Sequence, residues 1–459
     1  MKKKIISLLL VLTLAGSMLA GCGGNQEAEG DGSGSKPGSN SGDSSDGVIE
    51  LTLWSTYGTY GSQYLDDLID EFNESQDKYY LTSAGGYDST TLRTKMESTK
   101  VANYPSLITG NSTMLGSYGE AAYVAPLQDF IDADDEDWTS GIFSAVKNCY
   151  IDNKGSMIGW PVGVSCNGYI VNVDILKQAG YSVDDLTSFE RIVEIATEAV
   201  NKGLCKYGLS FYNGIDILDM LVRQGVDVVD ADNGFSGDAT QSLLLEGDTY
   251  ETLTRIVDLI SGMYVDGVAL EYGYNGLSSS LFKSNDLLFW KCTNSSVHNV
   301  LDSGSGMDWV FIQSVAVDGS AQFPEGAISE GTGIYICDTG DEEEMQGAYE
   351  FIKFLSRAEN QCYFAEGIGY LPYTEEAAEL YQEWAEENFP SSIAIVEELT
   401  DSPEELKLPY TAVIGDIITA FAELIGNISV TPEGNLESFM EDANISIEAA
   451  FEIYLRRNQ

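Results

Sequence analysis

The stretch GSMIGWPVGVSCNGYIVNVDILKQAG, residues Gly155–Gly180, organises the interpretation of this chain. Its apolar residues predict a short strand before Pro161, which lacks a backbone donor, and a second strand after it. A helix over residues 173–179 follows, with Asn172 placed to cap it and Gly180 to end it. Such a segment either crosses between two bodies or forms an ordinary βα unit. The two strands are predicted over residues 156–160 and 167–171.

The N-terminus has the features of an export signal. Three lysines at positions 2–4 precede an apolar run, residues 5–14, that is too short to span a membrane. Leu19-Ala20-Gly21-Cys22 then matches the motif at which bacterial lipoproteins are cleaved and lipidated. We therefore predict a lipoprotein signal peptide over residues 1–21, lipidation of Cys22, and anchoring on the extracytoplasmic face of the cell membrane. The alternative is a plain secretory peptide cut near Ala20.

A linker follows the lipidation motif. Residues 23–47 include 8 Gly and 6 Ser and no apolar run, so residues 22–47 are predicted to be a disordered linker. About 410 residues remain beyond it, enough for two or three domains of ordinary size.

The chain is strongly acidic, with a formal net charge of −50 that becomes more negative once the lysines at positions 2–4 are removed. A surface of this charge repels nucleic acid and anionic lipid, so neither is an expected partner. Arginine is scarce, and most of the seven arginines fall in helical patterns. No dedicated anion clamp is therefore predicted.

Cysteine and histidine usage argues against a metal site. Beyond Cys22 there are six cysteines at wide spacings, which we expect to be buried free thiols, although an even number permits disulfides. His298 is the one histidine and no C-x-x-C occurs, so neither a zinc site nor another cofactor is expected. The acidic run at residues 132–137 lacks the glycine and final glutamate of a calcium loop and is interpreted as a solvated charge run.

Strand and helix patterns alternate along the first third of the chain. Strands are predicted over residues 49–53, 79–83 and 106–109, with helices over 63–73 and 89–102 between them. This alternation is typical of an α/β sheet covered by helices.

Three patches resemble one known family. GSMIGWPVGVS with YIVNVDILKQAG at residues 155–180 is similar to the first crossover of the extracellular solute-binding proteins of ABC importers, a large family that includes maltodextrin- and glycerol-phosphate-binding members. AISEGTGIYIC with AYEFIKFL (residues 327–355) and GIGYLPY (residues 367–373) keep the family's order. The resemblance covers nearly the whole chain after the linker and is weakest at residues 214–238 and after residue 374.

The resemblance implies an α/β, two-lobe periplasmic-binding-protein-like fold of type II with an interlobe hinge. It places the N-terminal lobe at residues 48–161 plus 312–356 and the C-terminal lobe at residues 162–311 plus 357–459. It also implies a monomer that binds a mono- or oligosaccharide between the lobes and delivers it to the membrane subunits of an ABC permease. The expected protein is not an enzyme.

Ligand contacts are implied at the strand ends and in the crossover. A sugar has an edge of hydroxyls and faces of C–H groups, which suit fixed polar groups and flat aromatic rings. Two positions keep a structural alternative: Trp54 as a core residue and Asp88 as a helix N-cap. Trp160 is expected to pack between lobes. The predicted contacts are Trp54, Tyr57, Tyr87, Asp88, Asn111, Ser112, Ser165, Asn167, Tyr212, Asn213, Trp290, Thr293, Asn294, Ser296, Glu330, Gly331 and Tyr370.

Departures from the family pattern bear on the ligand. Glu330 replaces the first residue of a paired-glycine turn, and Gly415 stands where the glycerol-phosphate branch carries an arginine. Together with the scarcity of arginine, this favours a neutral sugar. The alternatives are a binder of a polyol phosphate or other small solute, and a surface glycoside hydrolase with two carboxylates. Neither G-x-S-x-G nor H-E-x-x-H occurs, which weakens the enzyme reading.

Overall fold

Nine strands form a mixed sheet in the computed structural model, which describes residues 47–301 and 306–457. The strands are β1 (Ile49–Trp54), β2 (Tyr79–Ala84), β3 (Leu107–Asn111), β4 (Val124–Ala125), β5 (Trp160–Asn172), β6 (Tyr207–Ser210), β7 (Leu287–Thr293), β8 (Trp309–Gln313) and β9 (Ser329–Cys337). Their order is β2-β1-β3-β9-β5-β7-β6, with β4 beside β9 and β8 beside β5. The pairs β1–β2, β1–β3 and β6–β7 are parallel, whereas β5 and β9 run antiparallel to their neighbours.

Helices follow most strands, as the sequence alternation predicts. Apart from the four-residue turn Asp230–Asn233, whose Ala231 and Asp232 have left-handed backbone angles, they are α1 (Thr59–Ser75), α2 (Ser89–Ser98), α3 (Leu115–Gly119), α4 (Leu127–Ala133), α5 (Ser144–Lys147), α6 (Val173–Ala179), α7 (Phe189–Asn201), α8 (Ile215–Gln224), α9 (Gly247–Val265), α10 (Ser278–Lys283), α11 (His298–Leu301), α12 (Glu342–Leu355), α13 (Ala358–Ile368), α14 (Glu375–Asn388), α15 (Ser391–Asp401), α16 (Ile414–Val430) and α17 (Leu436–Arg457). Short 3-10 turns occupy Val101–Asn103, Ser112–Met114, Val183–Asp185, Asn275–Leu277 and Asn294–Val297.

Strand β5 is one buried strand of 13 residues, so the prediction of two strands separated by a break was wrong. Pairing with β9 continues through Pro161, and the proline is accompanied only by a shift of register between Pro161 and Gly163. Residues 160–166 pair with β9, whereas residues 167–171 pair with β7 and 168–172 with β8. The strand therefore carries the chain from one part of the sheet to the other.

The helix that follows β5 begins and ends as predicted. The Asn172 side chain accepts a hydrogen bond from the Ile175 N–H at 3.0 Å and caps α6. Gly180 ends that helix with φ +100°, a left-handed conformation that favours glycine.

Two large hydrophobic cores flank β5. Tyr169 and Val171 belong to one core, and Trp160 belongs to the other together with Leu51 of β1. Trp160 is fully buried, with its ring 4.6 Å from that of Trp138, which confirms a packing role. The second core holds residues from both predicted lobes, so the division into cores does not mark where one lobe ends and the other begins. The lobe boundaries therefore stay a prediction.

Within the described ranges, none of the helices combines the length and apolar character needed to cross a bilayer. The predicted signal peptide, the predicted lipidation site Cys22 and nearly all of the predicted linker lie outside those ranges. The six cysteines after Cys22 are free thiols, five of them buried, as the spacing suggested. Burial raises the pKa of the half-buried Cys149 thiol to about 12, which disfavours a reactive thiolate.

Candidate functional site

A cavity of about 370 Å³ lies where several strand ends meet. Asn111 ends β3, and Tyr212 and Asn213 follow β6. The carboxyl ends of parallel strands are where open α/β sheets place their ligand sites. The volume falls in the range of small-molecule pockets, roughly 300–1,000 Å³. The lining residues are Ser89, Arg93, Asn111, Thr113, Met114, Tyr118, Tyr212, Asn213, Ile215, Glu330, Gly415, Asp416, Ile418 and Thr419.

Local hydrogen bonds fix the polar lining. The Asn111 side chain accepts from the Thr113 N–H at 3.0 Å, and the Asn213 side chain accepts from the Ile215 N–H at 2.7 Å. In each case the side-chain oxygen holds the turn after the strand, so the amide group keeps donors available for a ligand. The hydroxyl of Thr419 donates to the Gly415 carbonyl at 2.8 Å on the first turns of α16.

Glu330 is a buried carboxyl group in the cavity wall. It lies on β9 opposite Ser165 of β5 and is only 6% exposed. Burial is the main cause that raises its pKa to about 8; the Asp219 and Asp216 carboxylates also raise it, and Lys291 lowers it. The side chain is therefore mostly protonated at neutral pH.

A buried polar network lies beside the cavity. Asp216 accepts from the Tyr212 N–H at 2.7 Å and from the Asn167 amide at 3.2 Å. Burial raises the pKa of Asp216 and lowers that of Lys291, whose ammonium lies 4.4 Å from the Tyr169 ring. Asn167 thus positions the loop that carries Tyr212 and does not itself line the cavity.

An ion pair extends this network away from the cavity. Arg223 Nε lies 2.7 Å from Asp219 Oδ1, and both side chains are almost completely buried. Arg223 also donates to the Gly326 carbonyl at 3.0 Å. The pair fixes α8, whose first turn is adjacent to the cavity.

Trp54 and Tyr87 lie outside the cavity lining, against Lys95. The Lys95 ammonium is 3.3 Å from the centre of the Trp54 ring and 4.3 Å from that of Tyr87. It also donates to the Tyr87 hydroxyl at 2.7 Å. Each of these cation–π contacts occupies one face of a ring, so that face is not open to a sugar. Asp88 accepts from the Thr91 N–H at 2.9 Å, which is the N-cap role left open by the sequence.

Tyr57 and Tyr370 pack beside β5. Their ring centroids are 6.5 Å apart, and the Tyr370 ring stacks on Phe364 at 6.1 Å. Gly331, with φ +126°, approaches the Gly163 carbonyl so closely that a built Cβ would lie 2.0 Å from its oxygen. Glycine at 331 is therefore required by backbone packing.

The remaining predicted residues surround the same strands. The Asn294 side chain accepts from the Cys166 N–H and donates to the Gly369 carbonyl, both at 2.6 Å. Ser112 borders a separate cavity of about 30 Å³. Three further residues are buried in strands β5 and β7, and one lies in the 3-10 turn after β7. These four are Ser165, Trp290, Thr293 and Ser296.

Four predicted contacts therefore come together in the 370 Å³ cavity: Asn111, Tyr212, Asn213 and Glu330. The predicted contacts did not include residues of α2 and α16, although the sequence singled out Gly415 at the start of α16. Arg93 lines the cavity, and its Nε is 3.9 Å from Glu97. The assignment of the complete set as ligand contacts stays a prediction.

Comparison with known proteins identifies relatives of the whole fold. A family model described as bacterial extracellular solute-binding protein matches residues 67–390. The sn-glycerol-3-phosphate-binding periplasmic protein UgpB of Yersinia pestis bv. Antiqua (strain Antiqua) is 24% identical over 424 residues, covering 87% of this chain and 92% of the relative.

Solved structures show the same architecture. The sugar-binding protein MalE from Xanthomonas citri has a TM-score of 0.73 at 14% identity, covering 90% of this chain and 100% of its own. A solute-binding protein of an ABC transporter from Agrobacterium radiobacter K84, in complex with ribitol, has a TM-score of 0.70 at 16% identity, with coverages of 88% and 99%. These likenesses confirm the predicted two-lobe, type II fold class.

Proposed function

The chain belongs to the bacterial extracellular solute-binding protein family, and from this premise we propose that it is the lipid-anchored substrate-binding component of an ABC importer. It captures a neutral mono- or oligosaccharide from outside the cell and delivers it to the permease subunits. The observation that carries the proposal is the cavity lined by Asn111, Tyr212 and Asn213 at the strand ends.

The cavity lining suits a hydroxyl-rich ligand. Amide groups of Asn111 and Asn213 offer donors and acceptors, and the partly exposed ring of Tyr212 offers a flat face. Asn111 precedes β5 in the chain and Thr419 follows it, and both residues border the same cavity. A ligand that contacts both groups favours the closed arrangement of the two lobes by differential affinity.

Charge supports a neutral ligand. An anion in this cleft meets the long-range negative potential of a chain with formal charge −50, partly screened by salt. Glycine at 415 supplies no cation, and Asp416 beside it adds a carboxylate to the lining. A neutral sugar avoids both the long-range repulsion and the repulsion from the Asp416 carboxylate.

A polyol phosphate is the second candidate, because Arg93 lines the cavity and a relative at 24% identity is named as a glycerol-phosphate-binding protein. The Arg93 Nε is 3.9 Å from Glu97, which is longer than a hydrogen bond, so this contact does not occupy its donors. The comparison of Arg93→Ala with wild type distinguishes the candidates, since a phosphate ligand depends on this cation and a neutral sugar does not.

The test is a thermal-shift screen with maltose, maltotriose, mannobiose, ribitol and sn-glycerol 3-phosphate. A ligand that binds only the folded state raises Tm by an amount set by its concentration relative to Kd. We expect a neutral sugar or polyol to raise Tm, and chromatography to recover maltotriose uncleaved. Shortened maltotriose would contradict a binding function, and a shift with the phosphate alone would favour the second candidate.

A further inference from the structure

We propose that the Glu330 side chain is a specificity-determining ligand contact that binds a pair of neighbouring hydroxyl groups of the ligand. The inference rests on the proposed function and names the chemistry that one wall of the cavity recognises. Sequence reasoning placed residue 330 near the ligand through its backbone, at a turn where glycine is expected. The side chain is the feature that this chain adds.

Geometry is the first support. Glu330 borders the cavity, is nine-tenths buried, and makes no side-chain hydrogen bond or ion pair with any described residue. Other polar side chains in the lining do have local partners: Asn111 with Thr113, and Asn213 with Ile215. A buried carboxyl without a partner is rare in native proteins and calls for one. The adjoining cavity is the place from which that partner can come.

The strand holds Glu330 in a fixed position. Its backbone pairs with Ser165, and the neighbouring Gly331 is packed against the Gly163 carbonyl. A side chain on a central, paired strand varies less in position than one on a loop, which suits a residue that selects a ligand.

Burial accounts for most of the raised pKa of Glu330, and the charges that face it from the network modify that effect. Asp216 and Asp219 lie on α8 and repel a third negative charge, whereas Lys291 on β7 attracts one. Arg223, also on α8, is held by its ion pair with Asp219. Burial makes the largest contribution, and the result is a pKa of about 8.

The cavity itself adds one charge of each sign. Arg93 on α2 and Asp416 on α16 are both in the lining, and Arg93 has Glu97 beside it. Tyr212 is uncharged at neutral pH, as tyrosine ordinarily is, and burial raises its pKa further. The thiols of Cys166 and Cys149, which interact electrostatically with Glu330, are likewise neutral, and burial raises their pKa values further.

A neutral carboxyl has the right functional groups for a diol. It presents one O–H donor and one carbonyl acceptor side by side, so it can donate to one hydroxyl and accept from the next. A ligand with an anionic group at this position would repel the ionised form and force the group to stay protonated. An ionised Glu330 would lose the donor, and binding to the diol would weaken as pH rises through the pKa.

Matched variants separate hydrogen bonding from packing. Glu330→Gln keeps a donor and an acceptor without a titratable proton, and Glu330→Leu keeps the volume without either. Maltotriose and ribitol are the probes, with circular dichroism as the folding control. By calorimetry we expect Glu330→Gln to bind within about threefold of wild type and Glu330→Leu to bind at least about tenfold more weakly.

The pH profile is the second readout. Because only the protonated fraction binds, wild-type affinity is expected to fall about tenfold between pH 7 and pH 9, while Glu330→Gln stays flat. Equal affinity of the leucine variant, or a wild-type profile as flat as that of the glutamine variant, would overturn the inference.

A ligand-free measurement separates this inference from the proposed function. The infrared difference between wild type and Glu330→Gln reports the carbonyl band of a protonated carboxylic acid. We expect that band at about pH 7 and its loss by about pH 9 to 10. An ionised Glu330 at neutral pH with sugar binding intact would overturn the inference alone. A protonated Glu330 with no binding of either probe would overturn both the diol contact and the sugar proposal.

Discussion

The ring of Tyr370 lies directly on Gly163, leaving no room for a side chain on this residue of β5. A Cβ built on Gly163 would lie 2.0 Å from Tyr370 Cε2. The same ring stacks on Phe364 of α13, so it cannot move freely. The contact fixes the strand that joins the two parts of the sheet and explains why glycine occupies position 163.

Replacing this glycine should destabilise the fold. Gly163→Ala forces the Tyr370 ring or the strand to shift, and overpacking of this kind costs about 1–3 kcal/mol of unfolding free energy. Urea denaturation gives the value. Gly262→Ala is the control, because a Cβ there meets nothing within 4 Å and should be neutral or stabilising. Equal stability of Gly163→Ala and wild type would show that the ring yields at no cost.

The buried ion pair beside the cavity should be sensitive to the loss of one partner. Arg223→Met leaves the Asp219 carboxylate buried without its cation, and we expect a loss of about 3–5 kcal/mol of unfolding free energy. Arg456→Met is the surface control, since the Arg456–Glu452 pair is largely exposed and should change stability by less than about 0.5 kcal/mol. Similar small effects for both variants would contradict the assigned burial.

Acid stability should depend on Asp134. A hydrogen bond from Lys353 at 2.7 Å lowers its pKa to about 2, helped by the Glu136 N–H and the Tyr349 hydroxyl. Because the folded pKa lies below the unfolded value, this stabilisation is present above about pH 4 and is lost as pH falls towards 2. Wild-type Tm should fall more steeply across that window than Tm of Asp134→Asn. Parallel profiles would exclude this contribution.

Membrane attachment should depend on Cys22, which lies outside the described residues. Cys22→Ser removes the thiol that the motif Leu19-Ala20-Gly21-Cys22 presents for lipidation. We expect the variant to leave the membrane fraction while its ligand affinity stays unchanged. Retention of the variant in that fraction would contradict lipid anchoring.

Local signals in the sequence predicted what is local in the structure. The cap at Asn172 and the stop at Gly180 were found because both act on the adjacent helix. The break after Trp160 was wrong because pairing with β9 overrides the local effect of Pro161. Pairing between strands that are distant in the chain cannot be recognised from a short window of sequence.

The site was predictable only in part for the same reason. Asn111, Tyr212 and Asn213 follow strands, and strand ends can be recognised from the sequence. Arg93 and Asp416 come from helices distant in sequence, and only the fold brings them to one cavity. The sequence pattern also could not show that the Lys95 ammonium lies over the ring of Trp54.

Calorimetric titration of the neutral saccharides and ribitol against sn-glycerol 3-phosphate, at low and at moderate salt, tests most directly whether this cavity binds a neutral ligand. We predict binding of at least one neutral ligand with little dependence on salt, weakened by about 1–3 kcal/mol in Tyr212→Ala and unchanged in Arg93→Ala. Binding of glycerol phosphate alone, abolished by Arg93→Ala and weakened by salt, would contradict the claim that this cavity binds a neutral ligand.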